Sequence, residues 1–539
     1  MNAMRIRRTA ACFAALALVC AGGACRRELR PRNLLLVTLD TTRADHVGAS
    51  GAGKAATPHL DALAARGTYF KNAYALTPVT LTSHAVMFYS EAPAELKLYN
   101  NGQAFRNPRA LPSLASLFKK AGFQTAAFVS LGVLQPAFGL AQGFDTYAGE
   151  FPADRWYLRA GEVNARVFPW LEAHTDKPFF LWVHYSDPHE PYAPPGAPDD
   201  LTVYVNDKRL GSYCLSNFTL NAVDLALAPG KNDIRFEVRN DSDAFPYHAR
   251  FDVFKLESPD EAGLKIKRYY DWYFNANDGT YFVKRRSEVQ VDNAGRARTV
   301  RMTFRGKLIL PIETTLRNDY RREVEYMDGE IGRLVAKLGE LGLAGDTAIL
   351  AAGDHGEGLG EYNDDDGNRY VGHIHFLQDA FMHVPLILAD PTGARRGKVG
   401  TTRADIVSLL DLAPTAAGLM GIGQESHFRG RDLGRTSGAD APEIFQETYR
   451  PEARHDRFGL LAYPWHLIFT PEKRTLEAYD LGTDPDEMHD RAAGGPLPAA
   501  VESLRKRLEA KAREALAGKG TVKVDAGVED MLRSLGYIK

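Results

Sequence analysis

The chain has 539 residues, 45% of them hydrophobic and 25% charged, with a formal net charge of −2 from 66 basic and 68 acidic side chains. Such a composition belongs to a folded protein with at least one large core. The balanced charge offers no basic footprint for nucleic acid, and no charge block or low-complexity tract interrupts it, so no nucleic-acid partner is expected.

The first 25 residues differ from the rest. Arg5, Arg7 and Arg8 precede the apolar stretch Ala10–Ala21, and small residues follow up to Cys25. A basic start, a short apolar stretch and a small-residue exit describe an export signal. About 12–15 apolar residues fall short of the ~20 that a spanning helix needs. Gly22-Gly23-Ala24-Cys25 resembles the end of a lipobox, in which Cys25 would carry a lipid anchor, although the Leu usual three residues before the cysteine is absent. The expectation is an exported chain, periplasmic or held at a membrane as a lipoprotein. Cys12, Cys20 and Cys25 lie in this leader, so Cys214 stands alone and no disulfide framework is expected.

Beyond the leader, Asn33–Leu39 (NLLLVTL) is a continuous apolar run ending at Asp40, as a strand buried on both faces of a parallel sheet reads. A helix signal follows, with Thr57 as N-cap, Pro58 at the first position, Leu60 and Leu63 on one face, and Gly67 as stop. Residues 111–121 read as a helix, Thr125–Val129 and Phe179–His184 as strands. A long amphipathic helix over about 316–341 leads into the strand-like Thr347–Ala352, and Val384–Ala389 reads as a further strand. Strands alternating with helices predict an α/β fold with a doubly wound, mostly parallel sheet over 30–199 and 311–440. Residues 200–310 instead show period-two alternation between Asn-Asp, Pro-Gly and Asn-Ala-Gly turns, which predicts an inserted β-sandwich. In it Ile234, Phe236 and Val238 would face inward. A smaller α+β section follows over 441–539, with a helix over 499–517.

Three segments fall at or just past strand ends, where open α/β sheets collect ligands. They are Asp40 after the first strand, Asp354-His355 after Thr347–Ala352, and Thr80 before a helix in TPVTLTSHAVMF. Two carboxylates, an imidazole and a hydroxyl form an oxygen-rich set suited to one divalent cation. The bland alternatives stand beside this reading: Asp40 as a turn residue, Asp354-His355 as a turn, and Thr80 or Ser83 as a helix cap.

In order and wording, NLLLVTLDTTRADHVG, TPVTLTSHAVMF, PFFLWVHYSDPHEPYAPP, AILAAGDHGEGLGE, HVPLIL and YDLGTDPDEMHD resemble the sulfatase family of the alkaline phosphatase superfamily. The resemblance implies an alkaline phosphatase-like fold, a metal held by Asp40, Asp354 and His355 together with Thr80, and Thr80 as nucleophile. By motif position it makes His189 and His373 the flanking donors, one of them the acid to the leaving oxygen, with His184 and His375 as further candidates. The departures are specific. Ordinary members carry an oxidisable Cys or Ser with Pro and Arg two and four residues on; here stand Thr80, Thr82 and His84, and Thr41 occupies the second acidic position. His84 is therefore a candidate at the arginine's place. Threonine is no substrate for formylglycine formation, so no formylglycine is expected. Two-metal relatives have a histidine where this chain has Gly332, four residues after Asp328, so one ion is expected, calcium or manganese first and zinc as the further option.

Two function classes follow. One is a metal-dependent hydrolase of sulfate, phosphate or phosphonate esters, glycan- or lipid-linked, with phosphoethanolamine-type phosphoryl transfer as its variant. The other is an exported pseudoenzyme that binds glycans through the insert, where Tyr269, Tyr270, Trp272 and Tyr273 would be a sugar platform.

Overall fold

A computed structural model describes residues 30–519 except 153–154, 191, 193, 196–200, 214–220, 239–247, 258–263, 276–279, 295–296, 310–315, 366, 368, 394–399, 437–441 and 450–454. The leader with Cys12, Cys20 and Cys25, the lone Cys214 and the 269–273 aromatic side chains lie outside what is described.

The central sheet is built from β1 (Asn33–Leu39), β2 (Thr68–Tyr74), β3 (Gln124–Phe128), β4 (Thr146–Ala148) and β5 (Phe179–Tyr185), which precede the insert. The insert supplies β6 (Leu201–Val205), β7 (Lys208–Tyr213), β8 (Asn221–Leu227), β9 (Gly230–Val238), β10 (His248–Glu257), β11 (Leu264–Asn275), β12 (Thr280–Asn293) and β13 (Arg298–Ile309). After it come β14 (Thr347–Gly353), β15 (Gly358–Asn363), β16 (Arg369–Gly372), β17 (His383–Val384), β18 (Leu386–Ala389) and β19 (Thr401–Ser408). The sheet order is β17-β2-β18-β14-β1-β5-β3-β4, with β19 also on β2. Strands β14, β1, β5, β3 and β4 form a parallel core. The sheet is mixed, because β18 runs antiparallel to both β14 and β2, and β17 antiparallel to β2. The apolar run read as one strand over 384–389 is split at Pro385, which cannot donate to a ladder.

β1 shows why these residues make this layer. Leu34 and Leu36 enter the core on one face, while Leu35, Val37 and Leu39 enter the core on the other. A strand with helices on both sides has no polar face to alternate with. Helix α1 (Pro58–Ala65) starts at Thr57, but no Thr57 side-chain cap forms. Asp328 caps it instead from the long helix, accepting from the His59 and Leu60 N–H groups at 3.1 and 2.8 Å. Gly67 stands just past the end of α1, its N–H donating to the Ala64 carbonyl at 3.1 Å, and there is no room for a Cβ there, 2.2 Å from the Leu388 carbonyl oxygen of β18. Helix α2 (Thr80–Tyr89) is wholly buried. Helix α3 (Leu114–Lys120), α4 (Ala160–Ala173) and α5 (Arg317–Glu340) complete the layers. Among the described residues no helix is long and apolar enough to cross a membrane.

Strands β6 to β13 form one hydrogen-bonded antiparallel sheet through the long β12, which pairs β9 with one half and β10 with the other. It folds over a core of its own, with Leu201, Val203, Ile234, Phe236 and Val289 meeting Leu225, Phe251, Val300, Met302 and Phe304. The C-terminal section pairs β20 (Ile444–Thr448), β21 (Arg457–Ala462), β22 (Trp465–Thr470) and β23 (Thr475–Asp480) in order, and α6 (Ala499–Gly518) packs on them through Val501, Leu504 and Leu508.

Glu447 on β20 is buried, accepting from the Ala94 N–H at 3.1 Å and from the Tyr449 hydroxyl. Burial pushes its carboxyl up to about 7. A raised folded-state value penalises folding only once the group ionises. The penalty is absent below pH 4.5 and complete above about 7. Glu447→Gln is therefore expected to stabilise the protein by about 3 kcal/mol at pH 8.5 and to leave it unchanged at pH 4.5, read by denaturant melts at both values.

Candidate active site

Asp40 follows β1 and Asp354 follows its parallel neighbour β14, so the register that pairs Leu39 with Gly353 sets the two carboxylates side by side. The turn after β1 is strained: Thr41 adopts φ +52. Its conformation is held by the Tyr320 hydroxyl, which donates to the Thr41 carbonyl at 2.7 Å, and by the Thr41 N–H, which donates to Asp354 Oδ1 at 3.1 Å. The His355 N–H donates to the same oxygen at 2.7 Å.

Thr80 opens α2 at its first helical position, with Val79 as N-cap. Neither Thr80 nor Ser83 caps the helix. The Ser83 hydroxyl donates to the Asp354 carbonyl at 2.7 Å, which ties α2 to the end of β14. Thr80 Oγ1 lies 3.2 Å from His355 Nε2. That nitrogen lies 3.4 Å from Asp354 Oδ2 and 3.8 Å from Asp40 Oδ1. His355 Nδ1 donates to the Gly356 carbonyl at 3.0 Å, so Nε2 turns its lone pair into the cluster.

These groups fit a cation. Donor atoms of Asp40, Asp354 and His355 lie within 4.8 Å of one another, and all three residues are buried. Both Asp40 carboxylate oxygens and Asp354 Oδ2 are buried without a hydrogen-bond donor. Burial pushes Asp40 up, but the imidazoles of His184, His189 and His355 outweigh it and hold the carboxyl below its usual range. Burial and the Asp40 charge push Asp354 well above its own. Burial and the neighbouring His373 keep His355 neutral. Oxygen and nitrogen lone pairs that converge on one buried point make a site able to hold a metal ion.

The histidines separate by position. His84 lies behind Thr80. Its Nδ1 donates to the Thr80 carbonyl at 2.8 Å, and Nε2 accepts from the Thr38 hydroxyl at 3.0 Å. Thr38 Oγ1 in turn accepts from Trp182 Nε1 at 2.8 Å. Burial drives His84 down to about 3, so it is neutral and brings no positive charge where an arginine would. The geometry gives it a bracing place under α2, and its Nδ1 also stands 3.7 Å from Asp354 Oδ2, in a second buried donor group with His184. Thr38→Val strips a partner from both Trp182 and His84 and is expected to cost about 2–4 kcal/mol in denaturant melts.

His184 Nδ1 accepts from the Ser130 N–H at 3.3 Å, which leaves Nε2 facing Asp40 Oδ2 at 3.3 Å, out of line for a hydrogen bond. His189 and His373 lie together, ring centroids 4.9 Å apart, and His373 is 4.6 Å from His355. His375 packs against Tyr370 and Phe376 instead. Asp328 caps α1, as described above. At Gly332 a Cβ would meet the His59 ring at 2.5 Å, so a larger side chain would have to displace that ring.

Sequence reasoning passed over Glu357, Tyr192, Tyr320 and Thr38. Glu357 stands two residues after His355 and was legible only as part of a turn; burial pushes its carboxyl well above the usual range.

A sequence model of the family described as Sulfatase matches residues 32–422. The chain belongs to the sulfatase family. It is 23% identical over 523 residues to the N-acetylglucosamine-6-O-sulfatase of Bacteroides thetaiotaomicron, covering 89% of this chain and 86% of that one. Its fold matches BT4656 in complex with D-glucosamine-2-N,6-O-disulfate, at TM-score 0.58 and 17% identity over 91% of this chain and 98% of that one. It also matches the phosphonate monoester hydrolase of Agrobacterium radiobacter, at TM-score 0.56 and 16% identity over 91% and 96%. This sulfatase-family chain is accordingly a sulfuric or phosphoric ester hydrolase with the alkaline phosphatase-like fold.

Proposed function

We propose that this sulfatase-family chain is an exported, metal-dependent hydrolase that works through a covalent ester on Thr80 and prefers phosphate or phosphonate esters to sulfate esters. The observation that carries the reading is the Thr80 hydroxyl at 3.2 Å from His355 Nε2, beside two buried carboxylates that share one pocket. Asp40, Asp354, His355 and Thr80 would hold the ion. When bound it supplies Lewis-acid stabilisation of the ester oxygens and favours the deprotonated hydroxyl.

The chain's own residues do the rest. The first turn of α2 presents positive backbone dipoles to an oxyanion near Thr80. His84 holds that turn through the Thr80 carbonyl, and Ser83 ties it to Asp354. Thr80 Oγ attacks in line as the bond to the leaving oxygen breaks, and a flanking imidazole, His189 or His373, gives that oxygen its proton. Water then releases the threonine ester. A threonine ester carries no second hydroxyl to expel sulfate, which supports phosphorus over sulfur as the preferred centre. The relatives span both: a sulfatase acting on N-acetylglucosamine-6-O-sulfate by its name, and a phosphonate monoester hydrolase.

A panel of aryl sulfate, phosphate monoester, phosphate diester and phosphonate monoester tests the reading, with intact-mass analysis after acid quench. The expected outcome is turnover of a phosphorus ester at least about tenfold faster than the sulfate, with adduct mass on the Thr80 peptide. A faster sulfate reaction would overturn the preference, and no turnover of any ester with stoichiometric metal bound would overturn the activity.

A further inference from the structure

Resting on the metal-dependent reading above, we propose that Tyr320 positions the turn between Asp40 and Asp354 and thereby sets how tightly the site holds its cation. Tyr320 is the fourth residue of α5 and fully buried, and its hydroxyl bridges two backbone groups of the turn after β1. It donates to the Thr41 carbonyl at 2.7 Å and accepts from the Arg43 N–H at 3.1 Å. One oxygen thus brackets the turn from both sides and holds Thr41 at φ +52, a strained conformation for a β-branched residue.

That conformation decides which edge of Asp354 the cation meets. The Thr41 N–H reaches Asp354 Oδ1 at 3.1 Å, where the His355 N–H also donates at 2.7 Å. Two backbone donors on one oxygen stop the carboxylate from turning about its last bond, and Oδ2 is left 3.4 Å from His355 Nε2. Were Thr41 to relax to a negative φ, its N–H would leave Oδ1 and the carboxylate would lose half of that hold. The Thr41 and Thr42 hydroxyls donate to the Asp40 carbonyl at 2.8 and 3.2 Å, so the same turn carries the other carboxylate. A Cβ on Gly353 would sit 2.8 Å from the Thr42 carbonyl oxygen, so the turn lies directly on the end of β14.

The tyrosine is itself fixed from the side of the insert. Its ring packs in a small core with Ala55, Tyr192, Leu316, Val324 and Leu359, edge-on to His46 and Tyr192 at 4.9 and 5.9 Å between centroids. Tyr192 lies before β6 and Leu316 after β13, so the chain leaving for the insert and the chain returning from it meet around this one ring. On the far side the Arg43 guanidinium donates to Asp45, Glu361 and the Glu357 carbonyl, which pins the residue whose N–H the phenol oxygen accepts. A hydroxyl held this way is a rigid support for the turn.

The test measures metal binding by the full-length protein, by calorimetry and thermal shift with calcium, manganese and zinc, for the parent, Tyr320→Phe, Thr41→Gly and the double variant. Phenylalanine keeps the packed ring and removes only the hydroxyl. Tyr320→Phe is expected to weaken binding of the metal that the parent holds most tightly by about 10–100-fold, as loss of a ligand's outer support does. Glycine takes a positive φ without strain, so in the Thr41→Gly background the same change should weaken binding by under about threefold. A merely structural hydroxyl would lower the melting temperature under chelation in both backgrounds and leave affinity alone. Affinity within about threefold of the parent in Tyr320→Phe, or an equal loss in both backgrounds, overturns the positioning role. A parent that binds none of the three metals overturns the cation reading and this role with it, while Thr80 adduct formation reports separately on the hydrolase reading.

Discussion

Thr80→Ala is expected to lower kcat/KM by at least about 10⁴-fold on every ester that the protein turns over, while its melting temperature moves by only a few degrees. Thr80 is fully buried at the start of α2, and alanine is at home in a helix, so the helix itself survives. The hydroxyl is what disappears, along with its 3.2 Å contact to His355 Nε2. Water could enter the gap, but water in place of Thr80 would lack the fixed position that makes attack effectively intramolecular. Thr80→Ser keeps the oxygen and loses only the methyl that limits its rotation, so it should retain activity within about a hundredfold. Steady-state rates with a phosphonate or phosphate ester, and the loss of the acid-stable adduct in the alanine variant, check both. An alanine variant within tenfold of the parent would leave the cluster without its nucleophile.

How much of this was legible depended on how local the cause was. The buried strands β1, β5 and β14 announce themselves, because runs of five or six consecutive apolar or β-branched residues are satisfied between two helical layers. The direction of β18 does not. An apolar run split by Pro385 reads as a strand whichever way it points, and its antiparallel pairing with β14 depends on where the preceding turn delivers it. The cap of α1 is a similar case. Thr57 and Pro58 are the local signal for a helix start, yet the oxygens that satisfy the first N–H groups come from Asp328, 268 residues away, which no window can see.

The site divides along the same line. Asp40, Asp354 and His355 sit in motifs whose order matches a family, so their convergence could be expected before any coordinates. His84 was a candidate because it stands where an arginine is usual. A cation can reach outward along a long side chain, whereas this shorter ring is captured by Thr38 below and by the carbonyl of its own helix. Glu357 and Tyr192 lie 165 residues apart on segments with no shared pattern, so the contacts of Glu357 with Tyr192 and His373 appear only once the β15–β16 hairpin has folded back.

Asp354→Asn is expected to do two opposite things. In chelator-treated protein it should raise the melting temperature by several degrees, about 1–3 kcal/mol, because Asp40 and Asp354 otherwise confront each other as buried like charges. The amide oxygen can still accept from the Thr41 and His355 N–H groups, at the positions now 3.1 and 2.7 Å from Oδ1. The amide NH₂, placed where Oδ2 lies 3.4 Å from His355 Nε2, can donate to that lone pair. The substitution thus removes a repulsion and supplies a missing proton in one step. In metal-loaded protein the order reverses. The cation that reconciles the two carboxylates loses a charged ligand, so affinity should fall by at least about 10²-fold and the thermal shift on adding metal should vanish with it. Thermal melts of both proteins with chelator and with each candidate metal separate the outcomes. If the variant instead melts below the parent under chelation, the two carboxylates are not paying an electrostatic cost for sharing the pocket, and the reading of that pocket as a cation site fails.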